Sequence, residues 1–340
     1  MRVALDAQLT VGTATGIGEY VRGLVAALRR RGVDVAELRE PRLDPWRFDR
    51  RVLWDQVLLP RRARASGASL LHCASGTMPR AAGLPVVVTV HDVAWLADQV
   101  HARPYARYYF GKLAPQRYRR ARSIVVDSSF SRDALLQLVR GLDPQRVHVV
   151  YPGVAADFCE LARGAGDGRT ILAVGTIERR KNLEVLVRAL ERLPAVRLVA
   201  VGPHTPYAAE CAELARRCGV ADRVEMPGYV ARDRLLALYR ECAVVAAPSR
   251  YEGFGYAAAQ ALCAGAPCIV SDRSSLPEIA AGDAPIVPAD DVDAWVTSLE
   301  PVLRGDADGR AREVQPRAIA RFSWESSAAR IEALYGEALT

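Results

Sequence analysis

Along this chain, short apolar runs alternate with longer segments in which apolar residues recur every three or four positions. Arg2 to Ala7, Val33 to Leu38, Ser69 to Cys73, Pro85 to Val90, Ser123 to Asp127 and Val147 to Tyr151 have strand length. Between them, Gly16 to Arg31 carries Tyr20, Leu24, Val25 and Leu28 at helical spacing. Tyr105 to Ala121 and Ser131 to Arg140 also read as helices, the latter capped by Ser128 or Ser131. Strand followed by helix, repeated, is the pattern of a parallel α/β sheet.

The alternation breaks once. Leu161 to Arg169 is rich in glycine and charge and has no apolar period, so a domain junction is expected there. The pattern then restarts, with strands at Thr170 to Val174, Arg197 to Val201, Val224 to Met226, Ala243 to Ala247, Cys268 to Ser271 and Ala284 to Val287. The expected fold is therefore α/β with two Rossmann-like, doubly wound domains, residues 1–162 and 163–321, and a ligand site in the cleft between them. Trp324 to Leu339 reads as an amphipathic helix with Ala328, Ile331, Leu334 and Tyr335 on one face. No strand follows it, so residues 322–340 are expected to cross back to the first domain.

Length and composition agree with this picture. The 340 residues suit two domains. The net charge of +7 comes almost wholly from arginine, since Lys112 and Lys181 are the only lysines, and no nucleic-acid-binding motif accompanies it. Arg47, Arg50, Arg51, Arg61, Arg62 and Arg64 form either a lipid-facing patch or, the preferred reading, a solvated helix face. Seven cysteines, odd in number and without a Cys-x-x-Cys pair, fit reduced thiols in a cytosol. The N-terminus reads as a strand and no stretch reads as a membrane span, so a cytoplasmic protein with at most peripheral membrane contact is expected.

Several loops at the carboxyl ends of strands hold candidate chemistry. Ser249 to Gln260 passes from a buried strand into an apolar helix, which puts Gly253 and Gly255 at a helix N-terminus suited to an anion. Glu252 at its mouth would repel phosphate but accept hydrogen bonds from sugar hydroxyls. Phosphate donors beside a sugar acceptor suggest a sugar-nucleotide site. Gly175 opens a loop that ends Arg179-Arg180-Lys181-Asn182, three cations able to compensate a diphosphate; alternatively it is a solvated turn with Asn182 capping the next helix. His91 and Asp92 end another strand, with Asp92 either orienting His91 or binding acceptor; taken alone, a capping Asp with a half-buried structural His is the preferred reading. Gly228-Tyr229-Val230 is either a nucleobase contact or a plain connector. Gly12 to Gly18 lacks the dinucleotide glycine spacing. Asp291-Val-Asp293 reads as a helix cap rather than a metal site, and no other cluster has metal-ligand spacing.

Together, Asp6, Gly16-Ile-Gly18, Val88-Thr-Val-His91-Asp92, Ser128 to Ser131, Val149 to Val154, Val174 to Asn182, Pro248 to Gly255, Gly265-Ala-Pro267, Ser275 to Glu278 and Phe322-Ser-Trp324 resemble, in order, the family-4 retaining glycosyltransferases of GT-B fold, in particular a bacterial mannosyltransferase-like subgroup. The resemblance implies transfer of a hexose from a GDP-, UDP- or dTDP-linked donor to a hydroxyl of a small-molecule, lipid-linked or oligosaccharide acceptor, with no metal or other cofactor and no nucleic-acid partner. It implies that Arg180 and Lys181 neutralise the diphosphate, Glu252 binds donor hydroxyls, and Gly253, Phe254 and Gly255 hold phosphate or sugar. It places His91 against the donor sugar, Asp92 on the acceptor side, and Gly16 to Gly18 over the phosphates. Gly175, Tyr229 and Val230 join the donor contacts, and Glu278 lies near the donor. One position departs: where the family carries a ribose-binding glutamate, this chain has Gln260, whose neutral amide forms a weaker bond. A non-catalytic sugar-nucleotide-binding relative and a sugar-nucleotide epimerase are the rival readings.

Overall fold

A computed structural model describes residues 1–12, 16–94, 96, 105 and 107–340. The chain divides into two compact units, Met1–Gly153 with Ser323–Thr340, and Val154–Phe322. The division falls ahead of the Gly-rich stretch around residue 162 because Val154–Leu161 is tied to the second unit. Val154 N–H bonds Phe322 C=O at 2.9 Å, Arg232 grips Asp157 at 2.6 Å, and Tyr239 stands edge-on to Phe158.

In the first unit six strands are paired in the order β2-β1-β3-β4-β5-β6. They are β1 (Arg2–Asp6), β2 (Asp34–Leu38), β3 (Leu70–Cys73), β4 (Val86–Val90), β5 (Ser123–Val126) and β6 (Val147–Val149). Every pairing is parallel, and β3, β4 and β5 are buried along their whole length. Continuous apolar strands of this kind need cover on both faces. Helix Gly16–Arg30 supplies part of it through Tyr20, Val21, Leu24 and Leu28. The C-terminal helix Trp324–Leu339 supplies more, burying Ala328, Ile331, Leu334 and Tyr335, the face expected from its period. Trp324 at its start seats against glycine. A Cβ on Gly23 or Gly153 would lie 2.2 or 2.3 Å from the indole, so neither position admits a side chain.

The second unit holds β7 (Thr170–Val174), β8 (Arg197–Val201), β9 (Val224–Gly228), β10 (Val244–Ala247), β11 (Cys268–Ser271) and β12 (Ile286–Val287) in the order β12-β11-β10-β7-β8-β9, again all parallel. The two orders differ. The second is the doubly wound dinucleotide-type order, and the first begins 2-1-3-4-5 as flavodoxin-like sheets do. Each has one point where the winding reverses, between β1 and β3 in one unit and between β7 and β10 in the other. Loops leaving adjacent strands in opposite directions open a crevice at such points.

Three local expectations change. The segment expected as a helix over Tyr105–Ala121 is helical over Arg107–Tyr118, a π-helix, Arg107–Leu113, running into a short α-helix, Ala114–Tyr118, with Pro115 in its first turn; Ala106 lies outside the described residues. Ser128 is the cap that accepts from Ser131 N–H at 3.0 Å. Arg51 does not lie on a solvated face. It is buried and donates to Asp55 at 3.1 Å and to Thr77 at 2.6 Å. Asp291 caps its helix as expected, accepting from Ala294 N–H at 3.0 Å. All seven cysteines are free thiols, five of them buried. No helix among the described residues is long and apolar enough to cross a membrane.

Candidate active site

The reversal point between β7 and β10 gathers the cationic loop and the Glu252 segment. The loop from β7 begins at Gly175, whose φ of 137° belongs to glycine, and ends at Asn182 in the left-handed region at 55°. Asn182 does not cap the following helix by its side chain. Its amide donates to Pro248 C=O at 3.2 Å and to Ala289 C=O at 2.7 Å, stitching this loop to the segment after β10. A backbone bond from Arg250 N–H to Arg180 C=O, 2.7 Å, adds a second stitch.

Those ties bring opposite charges together. Lys181 Nζ donates to Glu252 Oε1, and Arg180 approaches Glu252 Oε2 at 3.5 Å while bonding Tyr251 C=O at 3.1 Å. Ser249 Oγ donates to Glu252 Oε1 at 2.8 Å, and Glu252 N–H is held by Ser274 Oγ at 2.8 Å. Ser275 Oγ bonds the carbonyls of Glu252 and Phe254 at 3.1 and 2.8 Å. Burial disfavours the Glu252 carboxylate, but Lys181 and Arg180 outweigh it and hold its pKa below the ordinary range. Gly175, Lys181, Ser249, Glu252 and Gly255 line one cavity of about 30 Å³, no more than a water or two. Lys181 and Glu252 both line that cavity, paired with each other.

Gly255 caps helix Tyr256–Cys263 with φ 103° and no side-chain acceptor, so the first N–H groups of that helix face the loop. Gly253 is buried, and Phe254 packs edge-on against Tyr256 and Phe322. Tyr229, Val230, Gln260 and Glu278 lie outside the cavity lining. Tyr229 follows the edge strand β9 and is 54% exposed, with Val230 beside it half-buried. Gln260 is buried in the helix, where its Oε1 accepts from Tyr239 O–H at 3.0 Å. Glu278 is in the first turn of helix Leu276–Ala280.

In the first unit His91 ends β4, and its orienting partner is Asp127, not Asp92. His91 Nδ1 is 2.7 Å from Asp127 Oδ2, while Asp92 instead accepts from Ala94 N–H at 3.1 Å. A cavity of about 960 Å³ opens beside them, lined by His91, Asp92, Ile17, Phe48, Ser75 and Thr77 among others. Gly16 and Gly18 begin the adjoining helix; Thr13, Ala14 and Thr15 of that loop lie outside the described residues. Beneath the cavity runs a buried polar network. Asp6 accepts from Trp54 Nε1 at 2.9 Å and Ser75 Oγ at 2.6 Å, while Arg51 reaches Asp55, Ser75 and Thr77. Sequence reasoning missed Asp127, Arg51, Asp55 and Tyr239. The i,i+4 spacing of Arg51 and Asp55 was the one available signal. Among the described residues no three His, Cys, Asp or Glu side chains cluster as metal ligands.

Two units of parallel α/β sheet in one chain, each with its chemistry at the carboxyl ends of strands, make a GT-B fold. Solved structures agree across the whole chain. Sucrose-phosphate synthase from Thermosynechococcus elongatus superposes with a TM-score of 0.77 at 23% identity, covering 99% of this chain and 98% of that one. The Anabaena protein HepE, in complex with UDP and glucose, gives 0.76 at 16% identity, covering 99% of both chains. The description "Glycosyltransferase Family 4" matches residues 14–158, and "Glycosyl transferases group 1" matches residues 163–319. The chain belongs to this glycosyltransferase family. A D-inositol 3-phosphate glycosyltransferase of Xylanimonas cellulosilytica is 33% identical over 279 residues, 75% of this chain and 67% of that protein. Its counterpart from Mycobacteroides abscessus is 31% identical over 277 residues, 76% and 61% respectively. The chain thus spans about three fifths to two thirds of these relatives' length.

Proposed function

We propose that this protein is a retaining glycosyltransferase that moves a hexose from a nucleotide-diphosphate sugar to an acceptor hydroxyl. The observation that carries the reading is the Lys181–Glu252–Arg180 cluster at the β7/β10 reversal point, beside the N-terminus of helix Tyr256–Cys263. Breaking a glycosidic bond to a diphosphate leaves positive charge on the anomeric carbon and negative charge on the departing oxygen. Arg180, Lys181 and the helix end, with Gly253, Phe254 and Gly255, stabilise the latter electrostatically, the role a divalent cation plays elsewhere. No metal or other cofactor is assigned. Glu252 accepts from donor-sugar hydroxyls, released for that task when the diphosphate takes over its cations. Gly175 admits the phosphates close to the backbone. Tyr229 and Val230 serve the base.

Retention follows if the leaving phosphate oxygen takes the acceptor's proton on the face it departs from, so no side chain is assigned as general base. The acceptor side is assigned to the 960 Å³ cavity. Its size is that of a site for a drug-sized ligand, and Phe48 with Ser75 and Asp92 offers an apolar wall with hydroxyl partners. Small-molecule, lipid-linked and oligosaccharide acceptors all fit that description. The relatives named as glycosyltransferases and the neighbour holding UDP and glucose support the reading. A cytoplasmic location is part of this proposal.

The test has two stages. A thermal-shift panel of GDP, UDP, dTDP and their sugars should find at least one that raises the melting temperature, because a ligand bound only to the native state stabilises it. Transfer or hydrolysis of that donor is then measured for the wild type and Glu252→Ala, which should lose at least about 100-fold in kcat/KM. If no nucleotide shifts melting at millimolar concentration, the donor site is wrongly assigned.

A further inference from the structure

His91 sits between two groups that accept hydrogen bonds. Nδ1 is 2.7 Å from Asp127 Oδ2, and Nε2 is 3.0 Å from the Ala74 carbonyl oxygen. A carbonyl cannot donate, so Nε2 carries a hydrogen. A carboxylate cannot donate either, so Nδ1 carries one too, and an imidazole with both nitrogens protonated is a cation. The surroundings agree. Asp127 is 2% exposed, and its second oxygen, Oδ1, has no hydrogen-bond partner. A buried carboxylate satisfied on one side only needs a countercharge, and His91 is the group that touches it.

We infer that Asp127 holds His91 as a fixed imidazolium on the wall of the first unit's cavity. His91 then serves the transfer reaction as a positioned positive charge rather than as a neutral donor or a base, and Asp127 is a positioning residue. The charge state rests on geometry alone, while its use in transfer rests on the function proposed above.

The groups around the ring leave its charge in place. Tyr20 of helix Gly16–Arg30 stands edge-on at 4.6 Å and 77°, its hydroxyl kept un-ionised by burial. His72 of β3 bonds Tyr335 O–H and Thr89 Oγ1 at 2.6 and 2.8 Å, and burial lowers its pKa to about 3, so it stays neutral. Tyr118, buried as well, is also held in its neutral form. Asp92, in the same loop as His91, adds negative charge. Burial works against the His91 cation, but Asp127, the Ala74 carbonyl and Asp92 outweigh it and raise its pKa above the ordinary range. Burial raises the Asp127 pKa and so works against its carboxylate, while the His91 cation acts in the opposite sense.

Nitrogen-15 NMR of the imidazole rings tests this directly and needs no donor. The five histidines allow His91 to be assigned by difference with His91→Gln. The expected result is two protonated ring nitrogens on His91 at neutral pH, titrating above an ordinary histidine, and a titration moved to lower pH in Asp127→Asn. In kinetics, the alkaline limb of the kcat/KM–pH profile should move to lower pH in Asp127→Asn and return towards wild type in Asp127→Glu. A purely structural role would lower the rate at every pH without moving the limb. If Asp127→Asn fails to fold, the wild-type spectrum and Asp127→Glu carry the test. A neutral His91 with one N–H at pH 6.5, or an unmoved limb in folded Asp127→Asn, overturns the inference. An imidazolium in a protein that turns over no donor keeps the charge state and overturns the proposed function.

Discussion

Lys181 and Glu252 form an ion pair across the β7/β10 reversal point, and both line the cavity there. Under the function proposed above, the cation that would meet a diphosphate is neutralised, in the protein without donor, by the carboxylate that would meet a sugar. Donor binding therefore exchanges one set of partners for another instead of burying fresh charge, which limits the desolvation cost of the site.

Lys181→Met should destabilise the second unit by about 2 kcal/mol at pH 7, since a hydrogen-bonded charge is lost beside a carboxylate that stays. The pH dependence has a definite sign. Glu252 has a folded pKa below its ordinary value, so its stabilisation is present above about pH 4.3 and is lost as the pH falls through the folded value. Urea melts at pH 7 and pH 3 should show the penalty at the first and little of it at the second. An equal penalty at both would mean that the pair contributes nothing through charge.

Gly202→Ala should displace the cationic loop from a position outside it. Gly202 has φ 150°, and a Cβ there would lie 2.0 Å from Gly175 C=O, so the start of the cationic loop must move. A loss of at least about 2 kcal/mol is expected from such a clash, together with weaker nucleotide binding. Gly309→Ala, where nothing lies within 4 Å, is the control and should melt within about 0.5 kcal/mol of wild type. Nucleotide thermal shifts on both variants decide the matter.

Arg51→Met should cost about 3–5 kcal/mol, because it strands the buried Asp55 carboxylate. The double variant Arg51→Met with Asp55→Asn should regain part of that loss, as removal of both charges avoids an uncompensated one. Chemical denaturation of the single and double variants measures the coupling. Were Arg51 part of a wet face, Arg51→Met would be silent.

Tyr239→Phe should lower stability by about 1 kcal/mol through loss of the 3.0 Å bond to Gln260, yet change nucleotide affinity less than about twofold. Isothermal titration with the nucleotide found in the panel gives the second number. A tenfold weakening would show that Gln260 reaches the ligand and that Tyr239 aims it.

Much of the fold was legible in the chain. Thr170–Val174, Arg197–Val201 and Cys268–Ser271 are strands with the bounds their apolar runs suggested, because strands buried on both faces leave an unbroken apolar signature. Helix Trp324–Leu339 was equally plain from its period. The sheet orders were not, since strand adjacency depends on contacts far apart in sequence. Within Tyr105–Ala121 the helix was legible but not its π-helical part, Arg107–Leu113, which lies ahead of Pro115, a residue with no N–H to donate. In the site, glycines and cations advertised themselves by type, and Gly175, Lys181, Glu252 and Gly255 do line one cavity. Asp127 did not, because an aspartate after an apolar strand looks like any cap. Its partner His91 lies on the neighbouring strand, β4, and only the parallel register of β4 and β5 makes them meet.

The seat of Trp324 against Gly23 and Gly153 has a consequence for how the chain is made. Residues that are synthesised before the second unit, β1 to β6 and helix Gly16–Arg30, share their apolar core with residues 323–340, which are synthesised after it. The second unit is continuous in sequence and can close as soon as Phe322 is clear. The first cannot, and keeps an uncovered apolar face until Tyr335 and its neighbours arrive. The first unit is begun before the second and completed after it, and in the interval its uncovered apolar face is open to other chains.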